Sequence, residues 1–363
     1  LATQHYEELN RLFKDLPVRI ALLTGRTTGK ERELILQKAA HREVDILVGT
    51  HALIQDDVIF SDLALVVTDE QHRFGVRQRA ALRNKGKDVH TLFLTATPIP
   101  RTMALSVYGD LDVSTMRELP PGRKPVKTYA VTEGMRSRIY AFMRKEIAAG
   151  HQCYVVCPLV EESASADLQA ATALYESLKS TDFADISCGL VHGRMSGKEK
   201  DEVMERFQKG DIKLLVATSV IEVGVNVPNA TIMYVDGAER FGLAQLHQLR
   251  GRVGRGAAQA YCILLAKSGN AETRQRLKWM ETIHDGFSLS EKDLLLRGAG
   301  QLFGSMQHGL PDLKAARIIE DADLLIPARD GAQTYLRFQG TEKTVKEALK
   351  KRFGNDFLRI LDN

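Results

Sequence analysis

The sequence predicts an α/β protein of two parallel-sheet units followed by a helical C-terminal region. Three observations predict it. Short runs of Val, Ile and Leu alternate with longer amphipathic stretches. Pro120, Pro121, Gly122 and Pro125 cluster between two such series. Beyond Lys267 the strand rhythm stops. Runs that are apolar on both faces suit parallel strands covered by helices, joined by right-handed crossovers.

In the first unit, residues 18–24, 44–50, 63–68 and 91–95 read as buried strands, with a helix over 30–40. The Pro/Gly cluster reads as a linker. In the second unit, residues 152–159, 188–191, 213–218, 231–235 and 261–266 read as strands. Helices are expected over 135–149, 166–178 and 198–209. Residues 270–297 read as helical and charged, and 298–309 as glycine-rich. These features divide the chain into domains 1–115, 128–268 and 269–363, with a linker at 116–127.

Length and composition fit a globular chain of two or three domains, with 44% hydrophobic and 26% charged residues. Fifty basic and 46 acidic side chains leave a net charge of +4. A total so small neither demands nor excludes a nucleic-acid partner, because a local basic groove is invisible in it. Cys153, Cys157, Cys188 and Cys262 lack the second Cys or His pair of a zinc site. They read as free thiols suited to a reducing cytoplasm. No apolar run is long enough to cross a membrane.

The chemistry concentrates in a few segments. Residues 63–68 run as an apolar strand into Asp69-Glu70-Gln71-His72. Carboxylates at the carboxyl end of a parallel strand stand where α/β sheets present their sites. One can hold Mg²⁺ on a nucleotide while the other orients and deprotonates a water. By itself the pair reads as a solvated acidic turn. Thr95-Ala96-Thr97-Pro98 changes that, because two hydroxyls closing the next strand can bond the carboxylate and His72. In the second unit Gln245, Gln248, Arg252 and Arg255 fall at helical spacing as one polar stripe. Two arginines on one face suit the spread charge of a transferring γ-phosphate. Gly251, Gly254 and Gly256 argue against an ordinary solvated helix.

Together these segments resemble motifs II, III and VI of superfamily-2 helicases, and more narrowly the RecG family. The related transcription-repair coupling translocase is the alternative reading; it usually has Asp-Glu-Glu-His where this chain has Gln71, which favours RecG. The resemblance implies two RecA-like parallel-sheet helicase domains and a C-terminal helical hairpin region. It implies an ATP- and Mg²⁺-dependent motor acting on branched DNA, namely forks and Holliday junctions. It also implies a single-stranded DNA-binding protein as a further partner and a monomeric state.

Residue by residue, Glu70 becomes the catalytic base and Asp69 the magnesium ligand. Arg252, Arg255 and Gln248 serve the γ-phosphate across the cleft between the two units. His72, Thr95, Thr97, Glu222 and Gly224 couple the nucleotide to motion, the last two within a segment resembling motif V. Gly25, Arg26, Thr50, His51, His192, Gly193, Thr218 and Ser219 contact DNA phosphates, as small and hydroxyl residues at loop-to-helix transitions can. Residues 285–309 resemble the family's translocation motif, with Arg297 and Gln301 as transmitting residues; a helix here is expected to falter at Gly298.

One part of such a motor is absent from the sequence. Gly25-Arg26-Thr27-Thr28-Gly29-Lys30-Glu31 is the nearest approach to Gly-x-x-x-x-Gly-Lys-Ser/Thr. It has three intervening residues, and its Glu cannot replace a Mg²⁺-binding hydroxyl. The chain opens at Leu1 within a segment resembling motif Ia. The expectation is an N-terminally truncated first domain with an exposed sheet edge, and a chain that, alone, acts as a non-hydrolysing DNA-binding module.

Overall fold

The computed structural model describes residues 1–70, 78, 81–82, 84–95, 112–116, 118, 122–158, 164–218, 227–267, 269–304, 322–337, 343–345, 347–348 and 351. The chain divides into two compact units, Leu1–Ala96 and Thr97–Asn363.

In the first unit β1 (Ile20–Leu23) pairs in parallel with β2 (Ile46–Gly49), in register from Ile20–Ile46 to Leu23–Gly49. A separate parallel pair joins β3 (Leu65–Thr68) to β4 (His90–Phe93). Among the described residues this unit carries the helices α1 (Ala2–Leu12) and α2 (Gly29–Ala40). Leu23, Ala52 and Val58 form a small core with Ile35, Leu36, Leu47, Leu53 and Phe60 around it. Leu65, Val67, Leu92 and Leu94 are exposed on the β3–β4 pair.

The second unit holds one six-stranded parallel sheet in the order β5-β10-β9-β6-β8-β7. Its strands are β5 (Lys127–Thr132), β6 (Gln152–Val156), β7 (Cys188–Val191), β8 (Leu214–Ala217), β9 (Ala230–Asp236) and β10 (Tyr261–Ala266). Alternate residues feed two cores, as the period-two geometry of strands requires. Cys153, Val155, Leu214, Val216, Ile232 and Tyr234 meet Ile139, Tyr140 and Met143 of α3 (Arg136–Ala148). Ala171 and Leu178 of α4 (Ala164–Ser180) join the same core.

On the other face Tyr154, Val156, Leu215, Ala217, Met233, Val235 and Leu264 pack with four further helices. These helices are α5 (Gly197–Lys209), α6 (Leu243–Arg250), α7 (Ala271–Thr282) and α8 (Gly286–Gly304). Beyond them lies α9 (Ala322–Leu336). Central strands are buried on both sides, so they carry the continuous apolar runs seen in the sequence.

Several expectations need correction. The predicted strand over 152–159 ends at Val156, and Pro158, which cannot donate to the ladder, follows two residues on. The region 270–297 is two helices, broken at residues 283–285. The expected faltering at Gly298 does not occur, since α8 runs through to Gly304. The polar stripe over residues 245–255 is not one helix: α6 stops at Arg250 with Gly251 as its C-cap, and Gly254 further on takes φ +74°, a left-handed conformation that a helix does not continue through. Of the linker placed at 116–127, residues 117 and 119–121 lie outside the described residues, and the two compact units divide at Ala96 and Thr97.

The thiols follow the sequence reading. Cys153, Cys157, Cys188 and Cys262 are free, and all but Cys188 are buried. Burial pushes the Cys157 and Cys262 thiols up to about 12. Among the described residues no metal-ligating cluster is present, and no helix is long and apolar enough to cross a membrane.

Candidate nucleotide and nucleic-acid site

Asp69 and Glu70 leave β3 directly after the buried Thr68. Thr95 lies two residues past β4, the partner of β3. The bond from Leu94 N to Thr68 O at 2.8 Å carries the pairing past the strands' end. Asp69 Oδ1 accepts the Glu70 amide at 2.9 Å. Asp69 Oδ2 lies 3.7 Å from His5 Nε2, with the carboxylate 40% exposed. Glu70 holds φ +53°. A left-handed non-glycine residue at a strand end is an uncommon, costly conformation that clusters at functional sites. His72 and Thr97 lie outside the described residues.

Gly25 and Arg26 form an exposed turn after β1, and Thr50 and His51 follow β2. Because Leu23 pairs with Gly49, the two predicted DNA-binding loops emerge side by side. Thr24 shapes the first of them, its hydroxyl accepting the Arg26 amide at 3.3 Å.

The same arrangement recurs in the second unit. His192 and Gly193 follow β7, and Thr218 follows β8, its amide bonded to Val191 O at 3.3 Å. Thr218 is 2% exposed. Thr218 Oγ1 and His192 Nδ1 are both buried with no hydrogen-bond partner among the described residues. Buried polar atoms normally find partners, so orphans at adjacent strand ends point to a ligand. Burial, then the charge of Lys200, lower the His192 pKa, which keeps the ring neutral at pH 7. Ser219, Glu222 and Gly224 lie outside the described residues.

Arg252 and Arg255 sit in the turn after α6, and Arg255 is exposed. Partial desolvation, then the charges of Arg252 and Arg123, pull the Arg255 pKa below the usual guanidinium value. Gln245 does not join them, because its Oε1 accepts the Gly242 amide at 3.1 Å and caps α6. Gln248 is half-buried on α6. Arg297 and Gln301 both fall on α8, four residues apart.

Sequence reasoning missed the residues that hold this turn. Arg250, 5% exposed, donates from Nη1 to Met280 O and Ile283 O, both at 2.9 Å. Its Nη2 donates to His284 O at 3.1 Å and to His247 Nδ1 at 3.0 Å. It thereby joins the end of α6 to the break between α7 and α8. Arg123 does the equivalent from the other side, through Gly251 O and Gly254 O. Asp236, at the end of β9, is missed as well; it pairs with Arg136 at 2.8 Å and Lys267 at 3.0 Å and ties α3 to the sheet.

His247 gives this assembly a pH dependence. Only a neutral ring can accept from Arg250, and burial, then the Arg250 charge, lower its pKa to about 4. In the unfolded chain it returns to about 6.5. As pH falls, the unfolded state binds the proton first. Its contribution to stability is therefore complete above pH ~6.5 and is lost toward pH ~4, to a total of about 3 kcal/mol. Urea unfolding between pH 7.5 and 4.5 should show that loss, and His247→Gln should flatten it. Identical profiles would remove His247 as its source.

Comparison with known proteins agrees with these features. The DEAD/DEAH box helicase family matches residues 1–105, and the helicase conserved C-terminal domain matches 136–257. The C-terminal part of domain 3 of ATP-dependent DNA helicase RecG matches 283–352. The ATP-dependent DNA helicase RecG of Bacillus subtilis is 52% identical over 92% of this chain and 49% of its own length. That of Staphylococcus epidermidis is 51% identical over 92% and 48%. The chain thus spans about half the length of these relatives. A solved structure of RecG bound to a three-way DNA junction is 46% identical, with a TM-score of 0.72 over 90% of this chain and 42% of that one. Saccharomyces cerevisiae Dbp5 bound to RNA and ADP BeF3 shares the fold at 15% identity and a TM-score of 0.56, covering 79% and 73%. Three family matches in chain order, and half-identity across nine tenths of the sequence, establish that this chain belongs to the RecG family of DNA helicases.

Proposed function

We propose that this chain is the motor region of an ATP- and Mg²⁺-dependent DNA translocase that remodels branched DNA, reversing forks and migrating Holliday junctions. Residues 1–115 and 128–268 are its two motor domains, and 269–363 its translocation region. The observation that carries the reading is the repeated placement of chemistry-bearing residues at the carboxyl ends of paired parallel strands: Asp69–Glu70 beside Thr95, and His192 beside Thr218.

Asp69 fits a magnesium ligand, being a partly exposed carboxylate at a strand end. Magnesium usually takes only one or two carboxylates besides substrate phosphates. When bound, the ion neutralises charge on the nucleotide phosphates. Glu70, its backbone fixed by the Asp69 bond, orients a water and takes its proton. Arg252 and Arg255 face the γ-phosphate charge. Thr218 donates its hydroxyl, and His192 a ring N–H, to DNA phosphate oxygens. Contacts of this kind track a strand without reading its sequence. Arg297 and Gln301 on α8 pass motion to the DNA.

A three-way junction binding assay with this chain tests the DNA side. Affinity should fall steeply between 50 and 200 mM salt, since phosphate contacts release counterions. Thr218→Val should weaken binding about fivefold, the value of one lost hydrogen bond. Unchanged affinity would sink the Thr218 assignment.

A second reading is favoured by the missing Gly-x-x-x-x-Gly-Lys-Ser/Thr loop: the 363-residue chain alone binds DNA without hydrolysing ATP. Turnover by this chain with branched DNA, abolished by Glu70→Gln, would rule that out. Catalytic tests therefore use a loop-bearing form, with such a segment ahead of Leu1.

A further inference from the structure

We propose that Arg123, on the stretch leading into the second unit's sheet, is a positioning residue that fixes the turn presenting Arg252 and Arg255. The proposal rests on the reading that those two arginines meet the γ-phosphate.

The turn needs such a support. With α6 ended at Arg250, its ladder thins to Gly251 N on His247 O and Arg252 N on Leu249 O, both at 3.0 Å, and a longer bond of Val253 N to Arg250 O at 3.4 Å. Arg123 Nε donates to Gly254 O and Nη2 to Gly251 O, both at 3.2 Å. One planar guanidinium thus grips both ends of a four-residue turn, and its fixed fork sets their separation. Arg255 Nε donates to the same Gly251 carbonyl at 3.3 Å, so Arg123 and Arg255 share an acceptor. Neighbouring contacts run the same way: Gln259 Nε2 donates to Pro125 O at 2.9 Å, and Lys127 N to Ala260 O at 3.0 Å.

The glycines leave the turn no slack. A Cβ on Gly254 would stand 3.1 Å from Val126 Cγ2, and one on Gly256 only 2.5 Å from Pro228 O. The backbone lies flush against residues 124–126 on one side and Pro228 on the other.

Charge favours the same role. Among the described residues Arg123 makes no ion pair, and its charge and that of Arg252 both act on Arg255.

Arg123 therefore links the chain entering the second unit to the γ-phosphate arginines, and its loss should slow chemistry more than it weakens nucleotide binding. The test measures junction-stimulated ATP turnover of the loop-bearing form with Arg123→Ala, Arg123→Lys and Arg252→Ala, together with each melting temperature. Arg123→Ala should lower kcat about tenfold or more, with KM for ATP changed less than threefold and the melting temperature kept. Arg123→Lys, which keeps the charge but loses the fork, should recover part of kcat. Unchanged kcat in Arg123→Ala overturns the proposal. If Arg123→Ala melts early, Arg123→Lys decides: reduced turnover at an unchanged melting temperature supports the role, and full turnover overturns it. Arg252→Ala separates the two levels. If it retains turnover, the γ-phosphate reading itself fails; if it loses turnover while Arg123→Ala does not, only the positioning role fails.

Discussion

Glu70→Gln is expected to lower junction-stimulated ATP turnover of the loop-bearing form by about 10²–10⁴-fold, the usual contribution of a general base. Glutamine keeps the shape and the backbone amide, so the bond to Asp69 Oδ1 at 2.9 Å survives. It cannot take a proton. The φ of +53° at this residue belongs to the backbone and stays, so nucleotide and junction binding should change little. The loss should appear in kcat, with KM nearly constant. Turnover within threefold of the parent would remove Glu70 from the role of base.

Arg250→Ala should produce the largest stability effect, about 4 kcal/mol in urea unfolding. The side chain serves Met280 O, Ile283 O and His284 O together. These carbonyls lie at the end of α7 and in the break before α8, where helix acceptors lose their ladder partners. Around them pack Leu246, Leu249, Val253, Met280 and Leu289. Each buried acceptor left without a donor costs about 1–3 kcal/mol. Burial lowers the Arg250 pKa from a high starting value and does not remove the charge. Arg250→Lys should recover about half of the loss, because one ammonium reaches fewer of the three carbonyls. A loss below about 1 kcal/mol would show that solvent reaches these groups and that α6 is not anchored there.

The sheet of the second unit was legible because its inner strands are buried on both faces, and runs such as Leu214–Ala217 then have no polar positions. β5 was hidden for the opposite reason. As an edge strand it alternates exposed Lys127 and Tyr129 with buried Thr128, too short a pattern to stand out. α1 was not read although Ala2, Tyr6, Leu9 and Phe13 fall at helical spacing on its half-buried side; none of them is fully buried. The polar stripe at residues 245–255 misled because helical spacing was extended through Gly251, and Gly254 adopts a conformation no helix continues through. The reverse happened in α8. Two glycines at about 1 kcal/mol each were expected to stop it, but Leu294, Leu295, Leu296, Ala299, Gln301 and Leu302 are good helix formers and the helix continues.

The candidate site was legible where a strand end carries its own chemistry, as at Asp69, Glu70 and Thr218. Arg123 and Arg250 were not, because their partners are backbone carbonyls 128 and 30 residues away. A carbonyl acceptor leaves no mark in the sequence, so such a residue looks like any other arginine until the fold places it.

In the proposed mechanism, hydrolysis at Asp69, Glu70, Arg252 and Arg255 drives movement on branched DNA. Strand release from a three-way junction by the loop-bearing form, with ATP and Mg²⁺, tests this most directly. The predicted result is ATP-dependent release that Arg252→Ala abolishes while junction affinity stays within threefold of the parent. Release that continues without hydrolysable ATP, or that Arg252→Ala leaves intact, would contradict it.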